Sequence, residues 1–142
     1  MLGRKNYSPD ELFAAQEAVR EQLTAYRNLA DAADKAGDPA VVAALEALEP
    51  ILFAALTASL DRIFVHRLRA VAGKDTNPLT EVEMLVDSIQ GNGGVLRPLT
   101  PIKYQPDRAV LGLPIGERVR LTADSFERLA RAFLDELGTR FA

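Results

Sequence analysis

The chain's single imidazole is His66, with Arg62 one helical turn before it and Arg69 close after. A histidine acting as a general base needs a carboxylate to orient it and a nucleophile within reach. Neither a Gly-x-Ser-x-Gly elbow nor a Ser-x-x-Lys segment accompanies His66. Its plainer reading is a polar residue on the basic end of a helix. Arg67 is placed less comfortably. At helical spacing it projects into the face made by Leu56, Leu60, Ile63 and Phe64, where an unpaired charge is costly. It can snorkel past the helix end, pair with Glu83 or Asp87, or present its guanidinium fork to an anionic ligand. Tyr104, between Lys103 and Gln105 and near Arg97, Arg108, Arg118 and Arg120 in the sequence, completes the candidates. A pocket lined by Arg67, with His66 or Tyr104, would suit a small anion. One ring among several cations would also offer a minimal stacking platform for single-stranded nucleic acid.

Other chemistry is excluded by residue type. The chain has no cysteine, so disulfides, thiolate metal sites and thiol nucleophiles are absent. One histidine rules out the two-imidazole HExxH site and the paired Glu-x-x-His of di-iron bundles. Glu17/Glu21 and Glu83/Asp87 lie at i,i+4 and read as solvated faces. Lys74-Asp75-Thr76-Asn77 lacks the other ligands of a calcium loop. Gly91-Asn92-Gly93-Gly94 follows a helix, whereas phosphate loops precede one. No metal and no cofactor is expected, and no catalytic constellation assembles.

The elements that would carry these residues are marked by proline and glycine. Ser8-Pro9-Asp10-Glu11 supplies a cap, a proline at the first helical position and a capping-box glutamate. The first helix runs from there to Gly37. Asp38-Pro39 opens a second stretch reaching Gly73, with Pro50 expected to cause a kink or short break near Leu48–Glu49. Asn77-Pro78 opens a third helix ending at Gly91, and Thr122 caps a fourth. Leu12, Ala15, Val19, Leu23, Tyr26, Ala30 and Ala33 form one stripe on the first helix. From Pro50 to about Leu60 the second stretch is apolar all round, which predicts a central, surrounded helix, and beyond Asp61 it becomes amphipathic. The third should bury Leu79, Val82, Leu85, Val86 and Ile89 and expose Glu81, Glu83 and Asp87. Residues 91–121 hold five of nine glycines and four of eight prolines. They also contain the β-type runs 102–104, 109–111 and 118–121, the last two flanking 112–117 as a hairpin.

The expected fold is mainly α: a bundle of four or five helices with a small antiparallel β-hairpin or meander inserted before the C-terminal helix. A mobile arm over 1–7 would precede one domain over 8–142. The formal net charge of −3 argues against a dedicated nucleic-acid partner. The longest uncharged run, Pro50–Leu60, is too short to span a bilayer, so no membrane association and a cytoplasmic location are expected. Two functional readings follow. The first is a non-enzymatic interaction or regulatory module, a homo-oligomer or the binder of a protein partner, acting through its broad Ala/Leu helix faces. The second is a small-molecule or anion-binding protein, or a minor enzyme, with its pocket near Arg67.

Overall fold

The computed structural model describes residues 7–65 and 72–141. Four α-helices account for most of them: α1 (Pro9–Ala36), α2 (Pro39–Val65), α3 (Pro78–Gly91) and α4 (Ala123–Phe141). A single 3₁₀ turn, Pro106–Arg108, interrupts the long connection between α3 and α4. The helix ends follow the local chemistry of the sequence. The Ser8 side chain accepts from the Glu11 amide at 3.1 Å, and Gly37 closes α1 in the left-handed region at φ 68°. Asn77 accepts from the amides of Leu79 and Thr80, while Thr80 reciprocates to the Asn77 amide. Thr122 and Ser125 exchange the same pair of bonds at the start of α4.

α1 and α3 flank a central pair made by α2 and α4, and each flanking helix packs on both members of that pair. Phe53 of α2 is the keystone. Its ring lies 5.0 Å from Tyr26 of α1, edge-on, and 5.3 Å from Phe126 of α4; such aromatic contacts add to the gain from burial alone. α4 buries Phe126, Leu129, Ala130, Phe133 and Leu137 completely, all on one face of a 3.6-residue period. On α1 the stripe from Leu12 to Ala33 likewise turns inward.

Several expectations are corrected. Among the described residues there is no β-strand, and the inserted hairpin is absent. Only one isolated antiparallel bridge forms, between Val95 and Arg118, so 94–96 rather than 109–111 lies against the 116–119 segment. Pro98, Pro101, Pro106 and Pro114 remove amide donors throughout this stretch, and Gly94, Gly112 and Gly116 turn at positive φ. A ladder cannot propagate between such interruptions. The five-helix variant also falls, because α2 is helical straight through Pro50. Finally, Glu81 is not on an exposed face but 3% exposed. Tyr7, at the end of the expected arm, is buried and donates its hydroxyl to the Ile63 carbonyl at 2.8 Å. The remaining arm residues, 1–6, lie outside the described residues.

Candidate functional site

The sequence candidates His66 and Arg67 lie outside the described residues. One of the acidic partners considered for Arg67 is already engaged: Asp87 accepts from Arg97 Nε at 2.9 Å and from a second guanidinium nitrogen at 3.3 Å. Tyr104 is tied into the connection before α4. Its hydroxyl donates to the Leu113 carbonyl at 2.6 Å, and burial together with the nearby Glu81 carboxylate pushes its pKa up to about 12. A phenol held in this way pins a loop.

Glu81 explains why that loop is ordered. The amides of Val110 and Leu111 donate to its two carboxylate oxygens at 2.7 and 2.9 Å. Burial pushes its pKa above the ordinary carboxylate range, opposed by those two amides and by attraction to Arg128. Buried carboxylates with raised pKa values mark active sites in many enzymes. Here both oxygens are consumed by backbone amides of the same chain, a structural use. Among the described residues, no group of three or more His, Cys, Asp or Glu side chains is placed to hold a metal ion.

Two grooves remain. The first, about 590 Å³, runs between α1 and α4 past Val19, Leu23 and Leu134, with Arg20, Arg27, Glu127 and Arg131 on its walls. Its charges answer one another. Arg27 reaches Asp124 at 2.8 Å and Glu127 at 3.3 Å, bonds that raise its pKa. Arg131 faces Glu127 at 3.7 Å and Arg20 pairs with Glu17.

The second groove, about 670 Å³, opens along α2, with the apolar Ala47, Ile51, Ala54 and Ala58 on one side and Ile89, Val119, the 93–94 glycines and the charged Arg118 and Arg120 on the other. It is the edge of a larger feature. Projected at 100° per residue, Ala40, Ala44, Ala47, Ile51, Ala55 and Ala58 form one stripe of α2, with Val41 and Leu48 on its flank. The opposite face carries Phe53, Thr57 and Leu60 into the core. The stripe faces outward. Ile51 is 68% exposed, Val41 44% and Leu48 40%, and Ala40, Ala44, Ala47 and Ala55 are exposed beside them. No charged residue interrupts it until Arg62. By length and composition, Pro39–Ile63 is apolar enough to cross a membrane.

This open face corrects the expectation that α2 is surrounded. An all-apolar helix signals that every side is to be covered, but α1 and α3, which each also pack on α4, leave one side of α2 open. The signal in the sequence was present in the run of small and apolar residues, and the count of helices decides how much of it one chain can bury. Comparisons with protein-family models, with curated proteins and with solved structures return no match to this chain.

Proposed function

We propose that this protein is a non-enzymatic interaction module that acts by packing the open face of α2 against another protein surface. The observation that carries this reading is the exposure of Ile51, Leu48 and Val41 on a helix face without a charge from Ala40 to Ala58. Leaving a contiguous apolar strip in water forfeits about 25 cal/mol per Å² relative to covering it. Patches of this kind mark association sites. The absence of cysteine makes a direct test available. A single Ala55→Cys substitution places the chain's sole thiol on the strip, where its alkylation rate reports coverage. Slow alkylation in intact cells of the native host, with fast alkylation in dilute purified protein, is the expected result. Equal rates in the two conditions would overturn the reading.

A further inference from the structure

Resting on that reading, we infer that the occupant of the α2 face is a second copy of this chain, packed antiparallel about a two-fold axis near Pro50–Ile51. Three observations converge on it. The first is charge. Exposed Asp38 precedes the strip's first turn, where its carboxylate also accepts from the Ala40 amide at 2.9 Å, and exposed Arg62 follows its last. These residues are equidistant from Pro50 in the chain. An antiparallel pair sets Arg62 of each protomer against Asp38 of the other, whereas a parallel pair sets like charges together. Antiparallel helix dipoles act in the same sense.

The second is shape. The centre of the strip alternates alanines with one protruding side chain, Ile51. Alanine lets helix axes approach to the short end of the usual 8–10 Å range. Each Ile51 then packs against Ile51 of its partner, flanked by that copy's Ala47 and Ala55. The same patch meets itself, as a two-fold contact requires.

The third is area. The uncharged strip from Ala40 to Ala58 is about 28 Å long. A contact about 15–20 Å wide over that length covers on the order of 400–600 Å² per protomer, the size of a weak, concentration-dependent pair. An anionic lipid surface would be repelled by exposed Asp38 at one end of the strip while Arg62, Arg118 and Arg120 lie toward the rest of it, so such a surface matches only part of the face.

The test is sedimentation velocity of the full-length protein from low micromolar to submillimolar concentration. A dimer that Ile51→Glu weakens at least ~100-fold is expected, since a charge would be buried at the axis. Ile51 is mostly in water in the single chain, so circular dichroism of the variant should match the wild type. Arg62→Asp should weaken the dimer about tenfold, and the added Asp38→Arg should restore most of that loss. Orientation is read by oxidising single-cysteine variants. An equimolar mixture of Ala47→Cys and Ala55→Cys proteins should give chiefly the mixed disulfide, while a parallel pair gives the two homodisulfides. A monomer at every concentration, an Ile51→Glu variant that associates normally, homodisulfides in place of the mixed product, or flotation of the wild type with phosphatidylcholine vesicles would each overturn the inference. A monomeric protein whose Ala55→Cys thiol is still protected in cells would remove the second copy as occupant and leave the interaction reading standing.

Discussion

Glu81, in the first turn of α3, accepts the backbone amide of Val110 at 2.7 Å, across a chain separation of 29 residues. With the Leu111 amide on its other oxygen at 2.9 Å, one carboxylate fastens the irregular connection to the bundle. No strand ladder does so. Replacing it by alanine leaves the amides of half-buried Val110 and Leu111 without acceptors, and a fully buried loss of this kind costs roughly 1–3 kcal/mol. We expect Glu81→Ala to lower the stability by about 2–4 kcal/mol in urea unfolding. A loss below about 0.5 kcal/mol, the scale of an ordinary surface substitution, would show that water replaces the carboxylate at no cost.

The same residue sets a pH dependence whose sign is unusual for a carboxylate. Burial is the largest influence on Glu81 and raises its folded-state pKa above the ordinary 4.5. A group raised on folding contributes its full stabilisation below the unfolded pKa and loses it as pH rises through the folded one. The unfolding free energy of the wild type relative to Glu81→Gln should therefore be greatest below pH 4.5 and shrink as pH increases. A difference that grows with pH would mean that the two amides and Arg128 outweigh desolvation.

Tyr104 supplies the alkaline counterpart. Its folded-state pKa is pushed from 10.0 to about 12, first by burial and then by Glu81. The corresponding stabilisation is complete below pH 10 and is lost as pH rises toward 12. Tyr104→Phe should remove that alkaline step and, by deleting the hydroxyl bond to Leu113, cost about 1 kcal/mol at neutral pH. Urea titrations of both proteins at pH 9 and at successively higher pH check it.

The sequence was informative wherever structure is decided within a few residues. Ser8-Pro9, Asn77-Pro78 and Gly37 locate helix ends because capping is a bond between near neighbours. The inward stripes of α1 and α4 follow from spacing alone. What depends on partners far along the chain was not legible. Glu81 has the same spacing whether it meets water or Val110, and a β-type run such as 109–111 does not reveal that its amides will go to a side chain. The open strip of α2 looked like a core because hydropathy records the wish to be covered without naming the cover. Arg67 and His66, the residues singled out for chemistry, fall outside the described residues, whereas Tyr104 proved to be a loop fastener.

Glu49 joins α2 to the start of α4. Its carboxylate accepts from the Ala123 amide at 3.0 Å and, through a hydrogen bond and its charge, holds the Tyr26 phenol above its ordinary pKa after burial, the larger cause. A negative group at a helix N-terminus satisfies an otherwise unpaired donor and meets the positive end of the dipole. Glu49→Ala should cost about 1–2 kcal/mol, on the scale of losing a helix cap, while Glu49→Gln should recover part of it by keeping one acceptor oxygen. Thermal unfolding of the pair distinguishes a cap from a packing contact. In the second case glutamine would match the wild type.

Pro50 is a stabilising substitution waiting to be made. α2 runs through it without a break, so the helix forgoes one amide donor, leaves the Glu46 carbonyl without its i+4 partner and accommodates the ring against the preceding turn. In a helix interior proline is about 3 kcal/mol less favourable than alanine. The neighbouring Phe53 contacts fix α2 in place, so part of that difference is recoverable. Pro50→Ala should raise the unfolding free energy by about 1–3 kcal/mol, measured by urea unfolding at one fixed, low protein concentration so that association does not contribute. If Pro50→Ala were instead destabilising, the kink that proline imposes would be part of how α2 wraps Phe53 between Tyr26 and Phe126.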